Sequence, residues 1–423
     1  MPRKNGTAGL QKKHGNRENF LNFLLVFVIV DLFLFPYIRP LRSLTSMLVV
    51  AVAFVLRFKI IEKRSRKEFF CLMISLFFII VSICVGCFTQ PETVPATFST
   101  EPINVLGYAV TYSVIYIFVF LYYLYFRNEE SGKTALMYTM LKLMLFVIFA
   151  FSVFYMISNS GFYAIRPFWT MSGRDSGLTS AYRYTFSFSD PNNIGSLTLA
   201  MMILIIENKK EVFSVKALTV VQSGIIVLMT MSSQCIVSML LYLLMKLLDV
   251  IFIQHMEVRI KKRNVLLFVA AILLIGLVLV VISDNETLLR ALNRVSGNES
   301  SMAVRFRVWD TLLSEKGLLP YLLFGRGNAV INNNTALMTH NGHLYIIYAY
   351  GAVAYLLFLY TFFWRKNGLG WSDLFFEIPL FICFSVNIGL NDARYSFAMA
   401  FIIALGIRLK LSEREEASVK RKL

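Results

Sequence analysis

A chain of 423 residues that is 57% hydrophobic and only 16% charged is unlike a water-soluble globular protein, whose charged share is about 25%. The formal charge of +17 is spread in short basic runs between apolar blocks; that pattern reads as anchoring against anionic lipid and argues against nucleic acid as a partner. Cys71, Cys84, Cys87, Cys235 and Cys383 all fall in or beside apolar blocks without metal-ligand spacing, and read as small core hydrophobes.

The fold class this predicts is all-α: a polytopic membrane protein with about 12 transmembrane helices and a large helical extracytoplasmic loop. Residues 1–19 are polar and basic, and no small-residue cleavage site follows the first apolar block, so no cleavable signal peptide is expected. Apolar blocks of spanning length then follow at 20–38, 43–58, 69–88, 103–126, 135–157, 193–207, 215–231, 234–253, 264–283, 341–363, 373–388 and 392–409. The second, sixth and eleventh are short, which leaves eleven spans as the alternative. Ser232 and Ser233 predict a tight hairpin between the seventh and eighth. The transmembrane domain covers 20–409, and 410–423 is a basic tail.

Lys and Arg placement orients this map. With the N-terminus inside, inner segments hold 28 basic residues and outer ones 12; Lys142 and Lys246 lie within spans. Both termini are therefore expected in the cytoplasm. Two long connections, 158–192 and 284–340, fall outside and are where function is sought. The second carries two amphipathic helical patterns, at 286–295 and 301–315, suited to the membrane surface.

The outer basic residues are Arg39, Arg42, Arg166, Arg174, Arg183, Arg290, Arg294, Arg305, Arg307, Lys316, Arg326 and Arg394, with one lysine among them. Arginine suits bidentate contact with phosphate oxygens, so the set points to a polyanion pocket, most simply for pyrophosphate. For each arginine alone, interfacial anchoring or pairing with an outer carboxylate is the competing explanation. Asp190 before Pro191 is a helix start, Asp capping and Pro at the first position, which by itself explains both residues. His340 and His343 are the two outer histidines; His340 has the chemistry of a general base, and without further ligands no metal site is expected.

Together these pieces form an ordered pattern: Arg183 with Asp190-Pro191-Asn192, Arg305 with Trp309, Phe324-Gly325-Arg326-Gly327, then His340-Asn341 followed by Leu344 and Gly351. The pattern resembles the O-antigen ligase and O-antigen polymerase superfamily of bacterial surface-polysaccharide assembly. Two positions depart from it: Gln234 stands where arginine is common, and His343 where an aromatic residue is. The resemblance implies a membrane glycosyltransferase of the bacterial cytoplasmic (inner) membrane, without metal, nucleotide sugar or other cofactor. Its substrate would be an undecaprenyl-pyrophosphate-linked oligosaccharide, with a flippase and chain-length regulator proteins as candidate partners.

In that reading Arg183, Arg305 and Arg326 hold the pyrophosphate, and fixed guanidinium groups stabilise its departure. Arg305 and Arg307 lie about 200° apart on a helix, whereas Trp309 shares the face of Arg305. His340 is the candidate base or hydroxyl positioner and Asp190 the reserve, while Asn192, Trp309 and Asn341 make other substrate contacts. The favoured activity is polymerisation of repeat units. The alternatives are a ligase moving the glycan to another acceptor and, in a different class, a flippase for the lipid-linked oligosaccharide.

Overall fold

The computed structural model describes residues 5–34, 44–89, 92–96, 99–157, 183–188, 190–230, 232–249, 322–327, 330–332, 335–337, 341–363, 377–383 and 393–420. The helices are α1 (Asn5–Phe33), α2 (Leu44–Leu56), α3 (Phe58–Arg64), α4 (Arg66–Thr89), α5 (Val105–Arg127), α6 (Thr134–Ile157), α7 (Pro191–Glu207), α8 (Phe213–Thr230), α9 (Ser233–Leu248), α10 (Gly342–Phe362) and α11 (Ala393–Lys420). Six of them, α4, α5, α6, α8, α10 and α11, are long and apolar enough to cross a membrane. The pair α2 and α3, bent by 76°, makes a seventh if counted as one span. The expected span at 264–283 and the amphipathic patterns of the second long loop lie outside the described residues.

Exposure separates the core from the lipid-facing surface. Val55, Leu56 and Phe88 are 71%, 79% and 90% exposed, which water would not tolerate over a broad band but hydrocarbon does. By contrast α7 is buried on all sides from Asn192 to Ile205, the signature of a central helix. Its 17 residues make it short for a span. Around it, α7 packs on α8 and α11, α11 on α5, α5 on α4, and α4 on α10. Aromatic rings fill the α5–α11 seam, with Tyr122 stacked on Phe397 at 4.4 Å and Phe126 edge-on to Phe401 at 4.6 Å. The cysteines divide: Cys71, Cys235 and Cys383 are buried as expected, but Cys84 and Cys87 are exposed on the outward side of α4 and pack in no core.

The two ends of the bundle are built differently. Where α5 meets α6 and α7 meets α8, carboxylates bind several of the basic residues. Arg57 pairs with Glu129 at 2.8 Å and Lys133 with the same carboxylate at 3.3 Å, while Arg127 pairs with Glu68. The α7–α8 connection is held by two clamps of the same pattern. Tyr138 and Lys142, one turn apart on α6, both bind Glu211; Tyr242 and Lys246, one turn apart on α9, both bind Glu207. Lys142 and Lys246 thus lie where their ammonium groups meet carboxylates at the bundle end.

At the opposite end an element appears that the sequence reading did not anticipate: a small sheet in the order β2-β1-β4-β3. Its strands are β1 (Thr93–Ala96), β2 (Ser99–Asn104), β3 (Val330–Asn332) and β4 (Thr335–Leu337). It joins the α4–α5 connection to the segment ahead of α10 through a parallel β1–β4 pairing. The register slips between Val94 and Ala96, at Pro95, which has no amide proton to give the ladder.

Candidate functional site

The sheet end gathers the beginnings of α7, α9 and α10. Asp190 caps α7, its carboxylate accepting from the Asn192 amide at 2.7 Å with Pro191 at the first helical position. The helix-start explanation of Asp190 and Pro191 is therefore realised in the fold. Asn192 turns inward and is buried. Its side-chain oxygen accepts from Ser232 Oγ at 2.7 Å and from Arg183 Nη2 at 3.3 Å.

Arg183 also donates through Nε to the carbonyl of Thr230, the last residue of α8, at 2.9 Å. A helix C-terminus carries unpaired carbonyls and partial negative charge, so it is a natural seat for a guanidinium. Tyr184 fixes the preceding chain, its amide donating to Met229 O at 3.0 Å and its hydroxyl to Ile148 O at 2.7 Å. Arg183 is thus held at a junction between one helix end and the starts of two others. Ser232 is the cap residue of α9, yet its side chain caps nothing there; the hydroxyl goes to Asn192 instead. Helix N-termini present amide protons and partial positive charge, the environment anions bind in.

The segment 377–383 links this junction to α10. Gln234 Nε2 donates to Cys383 O at 3.5 Å, and two residues earlier Phe381 O lies 3.1 Å from His343 Nε2. His343 is buried, stacked on Phe381, and its Nδ1 meets Tyr355 OH at 3.1 Å. Twelve residues of straight helix rise about 18 Å, too far for one hydrogen bond, so this contact itself records a bend in α10. The bend is at Gly351, whose φ of 87° and ψ of 168° are not helical. Both ring nitrogens of His343 serve internal contacts, which makes it a packing residue. Asn341 caps α10 by accepting from the Leu344 amide at 3.0 Å.

Arg326 comes from a different direction. The turn Phe324-Gly325-Arg326-Gly327 lies between α4 and α10, with Phe324 stacked on Phe78 and its carbonyl accepting from Ser82 Oγ. Arg326 Nη1 donates to Tyr348 OH at 3.0 Å. Among the predicted site residues, then, Arg183, Asp190 and Asn192 form one cluster, Asn341 starts the helix linked to it through 377–383, and Arg326 sits on the α4–α10 turn. Arg305, Trp309 and His340 lie outside the described residues.

Arg394, counted with the outer arginines, has a structural task. It is 3% exposed, lies over the Phe188 ring and donates to Ser187 O at 2.9 Å, so it pins the Arg183–Phe188 segment to α11. Ser232 and Tyr348 were not singled out from sequence. Ser232 sat in the predicted hairpin, and a hydroxyl beside a helix start was the available signal; Tyr348 is one tyrosine among several in α10 and offered none. Comparison of the chain with family models, with curated proteins and with solved structures returns no match.

Proposed function

We propose that this protein is a multi-pass membrane glycosyltransferase that polymerises undecaprenyl-pyrophosphate-linked repeat units of a surface polysaccharide. The observation that supports this reading best is the Arg183 junction: a guanidinium held by Thr230 O and Asn192 at the starts of α7 and α9. Such a junction suits a pyrophosphate, which carries charge on several oxygens and gains more as it leaves. Arg326, and Arg305 from the second long loop, complete the anion set in this proposal.

In the proposed reaction a sugar hydroxyl attacks the anomeric carbon, the bond from that carbon to the phosphate oxygen breaks, and the lipid pyrophosphate departs with its electrons. The hydroxyl proton passes to His340. Asp190 is less suited to that role because its carboxylate already caps α7. The reading includes about 12 spans, both termini in the cytoplasm of a bacterium, 158–192 and 284–340 outside the inner membrane, and no metal or cofactor in the chemistry.

Transport of the same lipid is less favoured. Coupled transport relies on ionisable groups inside spans. Of Asp31, Lys142, Lys246 and Asp392, the two lysines are committed to Glu211 and Glu207 at the bundle end, Asp31 remains in α1, and Asp392 lies outside the described residues. Ligation to a different acceptor uses the same donor site and differs only in what attacks. The test is where the donor accumulates in cells lacking the protein. Lipid-linked single repeats on the outer face support a polymerase; accumulation on the inner face supports a flippase and overturns this reading.

A further inference from the structure

The break in α10 at Gly351 and the turn that carries Arg326 are one construction. In an uninterrupted helix the carbonyls of Tyr348 and Ala349 would accept from amides four residues ahead. With the chain turned aside at Gly351, they accept instead from Arg326 N at 2.8 Å and Gly327 N at 3.1 Å. The turn therefore replaces the missing rungs of the helix, which is how irregular backbone is accommodated inside a membrane protein. The fit depends on two glycines. A Cβ on Gly351 would collide with the Leu323 carbonyl and one on Gly325 with the Ala349 carbonyl, and both residues have positive φ. The same stretch of α10 supplies Tyr348, which is buried and accepts from Arg326 Nη1. Backbone and side chain of Arg326 are thus both fixed to residue 348.

Resting on the pyrophosphate reading above, we infer that Tyr348 is a positioning residue for Arg326: the broken helix fixes the arginine's backbone, and the Tyr348 hydroxyl aims its guanidinium at the lipid pyrophosphate. A hydrogen bond to a charged group has enough weight to change affinity on the order of tenfold. Tyr348→Phe removes the hydroxyl and keeps the ring, so the fold is retained.

The experiment uses the full-length protein in lipid nanodiscs with three readouts: binding of undecaprenyl pyrophosphate, the rate of phenylglyoxal modification at Arg326 by peptide mass spectrometry, and amide exchange across 325–327. For Tyr348→Phe we expect unchanged amide protection, faster modification of Arg326 and affinity weakened about tenfold. In an Arg326→Ala background the same change should have no further effect on affinity, a dependence that general loosening would not produce. Gly351→Ala should release the turn and abolish the amide protection. An unchanged modification rate in Tyr348→Phe, or a full affinity loss in the Arg326→Ala background, overturns the positioning role. If the wild-type protein binds no pyrophosphate while the modification rate still rises, the functional reading fails and the Tyr348–Arg326 link stands.

Discussion

The contacts described for the positive charges differ between the two ends of the bundle. Where α5 meets α6 and α7 meets α8, Arg57, Arg127, Lys133, Lys142 and Lys246 each sit on a carboxylate. At the sheet end the acceptors described for Arg183, Arg326 and Arg394 are a carbonyl and an amide oxygen, a phenol and a carbonyl. Arg394 serves the fold there as well, pinning the Arg183–Phe188 segment to α11. The ion pairs at the first end serve the fold, whereas Arg183 and Arg326 are the residues that the proposed function sets against the donor pyrophosphate. In that proposal the sheet end binds the donor and the other end holds the fold together, and substitutions can test the division.

The largest expected effect is at Arg183. Arg183→Ala should abolish polymer formation and weaken donor binding, and Arg183→Lys should restore little, because an ammonium cannot reproduce the guanidinium fork between Thr230 O and Asn192. Wild-type turnover in Arg183→Ala would erase the distinction between the ends.

Next is His340. Loss of a general base typically costs about 10²–10⁴-fold in rate, so His340→Ala should cut turnover by that order while leaving donor affinity nearly intact. His343→Ala should instead lower thermal stability, because its ring bridges Phe381 and Tyr355. Turnover beside donor affinity, measured for both variants, checks the division of roles. An activity loss in His343→Ala at unchanged stability would reverse it.

At the structural end the expected effects are on stability alone. Glu129 is 2% exposed and receives both Arg57 and Lys133. Removing one partner from a buried ion pair costs about 3–5 kcal/mol, so Glu129→Ala should lower the melting temperature of the purified protein strongly, with the surviving fraction fully active.

The smallest effect is at Glu211. Partial burial works against its charge, but the Tyr138 hydroxyl and the Lys142 ammonium outweigh that and hold the carboxyl below its ordinary value. A lowered folded-state pKa stabilises the fold above the ordinary carboxylate range, and the contribution is lost as pH falls through the folded value. Glu211→Gln should therefore flatten the acid limb of melting temperature against pH and leave neutral-pH activity alone. An unchanged acid limb would remove the clamp from the stability of the fold.

How much of this was legible follows from the range of the interactions. Helix-length apolar blocks announced α4, α5, α6, α8, α10 and α11, because spanning a bilayer is a local property of about 20 residues. Local chemistry also announced the cap at Asp190-Pro191 and the hairpin at Ser232 and Ser233. What escaped was non-local. Lys142 and Lys246 stood out as cations within spans, but their partners lie 69 and 39 residues away. The break in α10 comes from one glycine in an otherwise regular apolar run, and only the arriving turn explains it. The sheet was hidden because β3 and β4 have three residues each and β1 contains a proline. Cys84 and Cys87 look like core cysteines by composition, and only packing shows that they face outward.

The claim that the sheet end is the catalytic donor site is tested most directly by turnover with purified components. Wild-type protein and Arg183→Ala, matched for melting temperature, would each be given a synthetic undecaprenyl-pyrophosphate oligosaccharide and assayed for a ladder of longer glycans and released undecaprenyl pyrophosphate. The account predicts a ladder from the wild type and none from Arg183→Ala. Equal ladders from both proteins, or no glycan transfer by the wild type, would contradict it.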